Sequence, residues 1–158
     1  MSANDLDHHD ERILSELQRD ARVTMAELGR RVKLSQPAVT ERVRKLETSG
    51  VITGYHASVD PIRLGYGIRA LVRVGRLNYN RVIQCIEETP EVLSAYNVTG
   101  EDNWILEIVV IDVTHLDQVL KPFCSLTDTS TAVILNVARE RAPLSTPAAL
   151  QTARNGAG

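Results

Sequence analysis

Aromatic residues are scarce in this 158-residue chain: one Trp, one Phe and four Tyr, 4% in all. A core must therefore be aliphatic, and a hydrophobic content of 43% supplies enough Val, Ile, Leu and Ala to build one. No run of about 18 apolar residues occurs, which excludes a helical membrane span. Cysteine is limited to Cys85 and Cys124, both within apolar helical patterns. Buried thiols in a reducing compartment are expected from them, not a disulfide framework. The opening Met1-Ser2-Ala3-Asn4-Asp5 is polar and acidic without a basic-then-apolar pattern, so no secretory signal is expected and the location expected is cytoplasmic. Also missing are a Gly-rich phosphate loop, zinc-ligand spacing and a nucleophile elbow. The histidines, His8, His9, His56 and His115, are scattered, and the adjacent His8 and His9 point to different sides of a helix. Glu101-Asp102 could pair as hydrolytic carboxylates, but neither a base nor metal ligands accompany them. No enzymatic activity, cofactor or metal is expected.

Excess charge of one sign is missing as well, the net charge being −2. Its distribution is uneven. Residues 1–20 hold two basic groups against six acidic ones, a net of −4, whereas residues 21–55 hold seven against three, a net of +4. Phosphate binding responds to the local field and not to the whole-chain sum, so the basic segment is the place to look for a polyanion contact.

That segment contains the stretch with the clearest organisation, Ser35-Gln36-Pro37-Ala38-Val39-Thr40-Glu41-Arg42-Val43-Arg44-Lys45-Leu46. Ser35 is a good N-cap, and Pro37 sits in the first turn, where its missing N–H costs nothing. Val39, Val43 and Leu46 form a buried stripe at i, i+4 and i+7. The opposite side carries Thr40, Glu41, Arg44 and Lys45, with Arg42 on the flank and Gln36 near the N-terminus. A helix presenting hydroxyl, amide and guanidinium groups can lie in a DNA major groove. Before it, Thr24-Met25-Ala26-Glu27 reads as a capping box opening a short helix with Met25, Leu28 and Val32 inward. The joint Val32-Lys33-Leu34-Ser35 has helix-turn-helix length. Periodicity alone leaves open a small helical bundle whose charges form a solvated face. Upstream, Asp7 or a neighbour caps a first helix to about Gln18, with Ile13, Leu14 and Leu17 inward. Gly50 is placed to end the third helix in the left-handed conformation. Residues 51–59 read as a strand, and Tyr55 within it serves either packing or a DNA backbone contact.

From Gly67 the pattern reads βαββαβ: strands over 67–77, 92–99, 104–111 and 131–138, and helices over 79–88 and from a Thr114–Asp117 capping box onward. Pro122 should kink or shorten the second of these helices. The order matches a ferredoxin-like split βαβ. The third strand is apolar on both faces, Trp104, Leu106, Ile108 and Val110 on one and Ile105, Val109 and Ile111 on the other. Two short helices cover one face of such a sheet, so the second is expected to take a partner subunit. The turn from Thr99 to Trp104 offers backbone N–H groups, the Thr99 hydroxyl, the flexible Gly100 and the Asp102 and Asn103 side chains. These can grip the carboxylate and ammonium of a free amino acid; the same residues also make an ordinary solvated hairpin.

Leu6-Asp7, Asp10, Ile13-Leu14-x-x-Leu17-x-x-Asp20-Ala21-Arg22, Glu27-Leu28-Gly29-x-x-Val32-x-Leu34-Ser35, Val39-x-x-Arg42-Val43-x-x-Leu46-Glu47 and Gly50-Val51-Ile52-x-Gly54-Tyr55 resemble the Lrp/AsnC family of feast/famine transcriptional regulators. The match is dense over residues 6–67 and looser over 68–141, where Val98-Thr99-Gly100-Glu101 is similar to the family's small-molecule-binding domain. The resemblance implies an α+β fold: a winged helix-turn-helix over 1–53, a wing, connector and hinge over 54–66, a ferredoxin-like effector and oligomerisation domain over 67–142, and a disordered tail over 143–158. It implies a one-component regulator that binds double-stranded DNA, forms a homodimer assembling to an octamer, associates with the nucleoid, and responds to a free amino acid. Ser35, Gln36, Pro37 and Ala38 would set the recognition helix at the groove floor, with Thr40 and Arg44 at base edges. Arg42, Lys45, Arg22, Arg31 and the helix N-terminus at Thr24 would meet phosphates. Thr99, Gly100, Asp102, Asn103 and Trp104 would surround the effector. The sequence departs from the family's pattern at Asn103, where an acid is frequent, and at 125–130, which lacks the usual Gly-Val turn. Other readings of the same residues are a DNA-bending nucleoid organiser with low sequence preference and no effector, an amino-acid-binding enzyme regulator using its N-terminal domain for protein docking, and a catalytic domain.

Overall fold

Capping side chains decide where the three N-terminal helices begin. In the computed structural model, which describes residues 6–75, 79–100, 103–147 and 150, α1 spans His8–Arg19, α2 Met25–Val32 and α3 Gln36–Thr48. The expected readings of the 1–5 tail, of a strand reaching Leu77, of Glu101 and Asp102, and of 151–158 lie outside the described residues. Asp7 caps α1 reciprocally: its carboxylate accepts from the Asp10 N–H at 2.9 Å, and the Asp10 carboxylate accepts from the Asp7 N–H at 3.2 Å. Thr24 accepts from the Glu27 N–H at 3.2 Å. The expected box at Thr24 is only half made, because the Glu27 carboxylate turns to Arg30 and Arg31 instead. Ser35 caps α3 by accepting from the Ala38 N–H at 3.4 Å. Each such cap is worth about 1 kcal/mol. The helices bury one aliphatic core of Ile13, Leu17, Val23, Leu28, Val32, Val39, Val43 and Leu46.

The α2–α3 turn depends on a glycine. A Cβ on the buried Gly29 would stand 2.7 Å from the Leu34 carbonyl oxygen, and that closeness lets the Leu34 N–H donate to the Gly29 carbonyl at 2.9 Å. Lys33 completes the turn with φ 61°, a left-handed conformation uncommon outside glycine. At the far end of α3, Gly50 takes φ 73° as expected.

The strand expected over 51–59 does not form. The Val51 and Ile52 N–H groups both donate to the Leu46 carbonyl, at 3.0 and 3.1 Å, folding this stretch back on α3. No ladder partner exists for it among the described residues, and an isolated strand has nowhere to place its backbone hydrogen bonds. The tail expectation also changes at its start. The Leu144 N–H donates to Gln18 Oε1 at 2.7 Å, Gln18 Nε2 donates to the Leu144 carbonyl at 2.9 Å, and Thr146 donates to Glu11. Backbone pairing with a side-chain amide thus holds this stretch against α1.

The second unit, residues 58–138, contains β1 (Ile68–Val74), α4 (Tyr79–Glu87), β2 (Val92–Asn97), β3 (Trp104–Val110), α5 (Val113–Cys124) and β4 (Thr129–Val133). The antiparallel sheet has the order β2-β3-β1-β4, the ferredoxin-like arrangement expected. Ala70, Val72 and Val74 pair with Ile108, Leu106 and Trp104 on the face covered by α4 and α5. Arg69, Leu71 and Arg73 pair with Val109, Glu107 and Ile105 on the other.

Three expectations are corrected here. Asp112, not Thr114, caps α5, accepting from the His115 N–H at 2.8 Å, so the helix starts earlier. β4 runs from 129 to 133, not 131 to 138, because its ladder with β1 ends at the Ala70–Val133 pair. Cys124 is exposed, its Sγ 3.0 Å from Thr129 Oγ1, because it falls on the outer side of the last turn of α5. Pro122 is tolerated inside that turn, and the helix ends two residues later.

Candidate functional site

The buried stripe of α3 fixes which side chains face outward. With Val39, Val43 and Leu46 in the core, helical geometry turns Gln36, Thr40, Glu41, Arg44 and Lys45 to solvent, and all five are exposed. Thr40 donates to the Gln36 carbonyl at 2.8 Å, leaving its oxygen lone pairs outward. Ser35 and Pro37 are exposed at the helix start, and Ala38 is half-buried beneath them. Around this surface stand Arg22, Lys33 and Lys45, none of which makes a salt bridge with another described residue. Lys33, which is not among the contact residues expected from the sequence, is held out to solvent by the turn's left-handed conformation.

Two arginines expected at phosphates are engaged elsewhere. Arg42 Nη1 lies 2.7 Å from Asp7 Oδ2 and 2.8 Å from Asp10 Oδ1, joining α3 to the capped start of α1. Desolvation pushes Asp7 up, but the Asp10 N–H and the Arg42 guanidinium outweigh it and hold the carboxyl below its ordinary value. The hydrogen bonds that Arg42 donates to Asp10 and Asp7 raise its own value in turn. Arg31 reaches Glu27 at 2.8 Å and Glu16 at 3.1 Å, bracing α2 against α1. Both are therefore struts between helices, and the reason is that α1 brings acids to the inner flank of each. The N-terminus of α2 at Thr24 remains open, since the first N–H groups of any helix lack intrahelical acceptors.

Arg44 is exposed but not alone. Its Nε and Nη2 donate to Glu41 Oε2 and Oε1 at 3.0 and 2.8 Å. The Arg44 hydrogen bonds hold Glu41 below its ordinary value. Tyr55 donates its phenol to Glu47 at 2.9 Å, and burial together with that carboxylate raises its pKa to about 12. The open alternative for Tyr55 thereby acquires a packing partner on α3.

In the second unit, the loop between β2 and β3 is closed by its own backbone. The Val98 N–H and Asn97 Nδ2 both donate to the Asn103 carbonyl at 2.9 Å, and the Asn103 N–H donates to the Val74 carbonyl at 3.1 Å. Thr99 and Gly100 are exposed, Gly100 at φ 120°. Asp102 lies outside the described residues. Trp104 does not line the loop: it is 5% exposed, belongs to the sheet's core, and packs against Tyr79 with ring centroids 5.5 Å apart. The alternation of β3 sends it to the helix-covered face.

Similarities to known proteins bear on both units. Residues 6–53 match the family model described as winged helix-turn-helix DNA-binding, and residues 69–144 match the Lrp/AsnC ligand binding domain. The chain is 40% identical over 139 residues to the HTH-type transcriptional regulator Rv2324 of Mycobacterium tuberculosis, covering 84% of this chain and 94% of that protein. Its fold is similar to that of LrpC from Bacillus subtilis, with a TM-score of 0.80 and 34% identity over 85% of this chain and 97% of the other. It is also similar to a Neisseria meningitidis transcriptional regulator, NMB0573, solved as a complex with L-methionine, with a TM-score of 0.84 and 28% identity over 91% and 99% of the two chains.

Proposed function

Because this chain belongs to the Lrp/AsnC family of transcriptional regulators, we propose that it binds specific DNA sequences through α3 as a homodimer and that a free amino acid modulates it. One observation carries the DNA-binding reading: a rigid helix pair, closed by Gly29, presents Gln36, Thr40, Arg44 and Lys45 together on the exposed side of α3. Gln36, Thr40 and Arg44 take the base edges, with Ser35, Pro37 and Ala38 at the groove floor. Phosphates fall to Lys45, Arg22, Lys33 and the N-terminus of α2 at Thr24. Arg31 and Arg42 keep the helices in register. No catalytic step is assigned to the chain.

The amino-acid response is placed at the Thr99–Gly100 turn with Asp102 and Asn103. The bound L-methionine of the Neisseria regulator supports this class of ligand. Here the turn's exposed backbone would take the ligand's charged ends, and Trp104 serves as a reporter from the core beneath. Dimerisation uses the sheet face opposite α4 and α5, where Leu71 and Tyr96 are exposed. That face is less apolar than expected, because Glu107 lies on it in an ion pair with Arg69 at 2.5 Å. Further assembly toward an octamer and residence on the nucleoid in the cytoplasm complete the reading.

The test is anisotropy of a labelled duplex from the gene's own upstream region against a scrambled duplex, with and without a panel of amino acids. Tight, salt-sensitive preference for the native duplex, shifted by one amino acid, is expected. Equal binding to both duplexes would replace this reading with an architectural DNA-bending role, and binding to neither would end it.

A further inference from the structure

We infer that Glu41 is a positioning residue for sequence readout: it locks the Arg44 guanidinium into the orientation that grips a guanine edge. The inference rests on the DNA-binding reading above and specifies how one contact is made selective. A guanidinium carries five N–H donors in a rigid plane. Glu41 takes the side-on pair, Nε at 3.0 Å and Nη2 at 2.8 Å. What remains is the end-on fork, both hydrogens of Nη1 and the second of Nη2. Two parallel donors in that geometry match guanine O6 and N7.

Stability gives no reason for the pair. Both side chains are largely exposed, 67% for Arg44 and 49% for Glu41, and exposed pairs of this kind contribute little to folding. Its consequences lie in what approaches the helix. An unpaired arginine can sweep across phosphates and bind any sequence, whereas a paired one has lost part of its rotamer freedom and presents one fork. Glu41 also brings a negative charge to a surface that meets a polyanion, which opposes contact wherever no base compensates. Lys45, one turn of helix from Glu41, lowers the Glu41 carboxyl through its charge but makes no salt bridge to it among the described residues, so the fork geometry belongs to Arg44.

The experiment selects from a randomised duplex library of about 25 base pairs with the full-length chain and its Glu41→Gln, Glu41→Ala, Arg44→Ala and Glu41→Gln/Arg44→Ala forms. Arg44→Ala is expected to lose guanine preference at one position of each half-site. Both Glu41 variants are expected to lose it at that same position, by roughly tenfold, while binding scrambled duplex more tightly. The double variant should lose no more than Arg44→Ala alone. Thermal melting checks that every variant keeps the fold, as the exposure of both residues leads one to expect. The inference is overturned if either Glu41 variant keeps the wild-type profile, or if its change falls at a different base pair, which would make Glu41 a reader in its own right. It is overturned too if Arg44→Ala leaves the profile intact. Enrichment of no sequence by the unmodified chain would instead remove the DNA-binding reading itself.

Discussion

At the scale of single residues, neighbouring arginines on α3 divide their work according to what α1 places beside them. Arg42 faces Asp10, which is only 6% exposed, and Asp7, so its removal would leave a nearly buried carboxylate without its cation. Arg42→Ala is expected to destabilise the N-terminal unit by about 1–3 kcal/mol, read as a lowered urea midpoint, while Arg44→Ala leaves the midpoint in place. Weakened DNA binding by a fully stable Arg42→Ala protein would return Arg42 to the phosphate contacts. Asp7 supplies a pH dependence. Its folded value is depressed, so its contribution is present above the unfolded carboxylate value and is lost as pH falls through the lower folded value. Asn caps helices as well as Asp does. Asp7→Asn should therefore be less stable than the unmodified chain at neutral pH, and the gap should close in acid, below about pH 4. A gap unchanged between neutral and acidic melts would mean that Asp7 acts through its cap alone. At the alkaline end, spectrophotometric titration should find one tyrosine ionising near 12, and Glu47→Gln should bring it down.

At the scale of elements, the caps and stripes of α1, α2 and α3 were legible because they are local: a capping side chain and an apolar spacing lie within a few residues of the turn they specify. The βαββαβ order was legible for the same reason. What misled was information that lies far away in the chain. The alternation of 51–59 has the pattern of a strand, yet a strand exists only where a second strand meets it, and Val51 and Ile52 instead satisfy themselves on Leu46. From α2 and α3 alone, Arg31 and Arg42 read as phosphate contacts, because nothing in either helix announces the acids that α1 delivers to them. Trp104 stands beside the effector loop in sequence, but the strand's alternation sends it to the core. The α2–α3 turn offers a sharp test at this scale. Gly29→Ala puts a methyl 2.7 Å from a backbone oxygen, and backbone cannot rotate aside as a side chain can. The substitution should cost about 1–3 kcal/mol and abolish sequence preference by moving α3, and a fully stable, fully specific variant would show that the turn has slack.

At the scale of the whole molecule, a pairing of two chains through the sheet's exposed face would set how many recognition helices reach the DNA together. Arg69, Arg73 and Glu107 stand on the two central strands, β1 and β3, and make that face polar through its middle, while Leu71 and Tyr96 are exposed on it and Ile105 is half-buried. A self-complementary patch in which exposed apolar side chains stand beside an internally paired charge, Glu107 with Arg69, suits a two-fold interface, in which each subunit presents the same surface to the other. Such a pairing doubles the phosphates neutralised in one binding event, and the salt dependence of affinity scales with their number, about −0.9 per phosphate on a logarithmic scale. Leu71→Asp places a carboxylate opposite Glu107, a like-charge pair that a joined interface would have to bury. Light scattering of this variant should fall from the mass of an oligomer to the 17.5 kDa of one chain. Its salt slope on DNA should drop to about half while base preference within a half-site survives, because α3 is untouched. A variant that stays oligomeric would move the interface off this face. One that becomes monomeric yet keeps the full salt slope would mean that the subunits reach DNA independently, and that the two-fold arrangement contributes nothing to how tightly the protein binds.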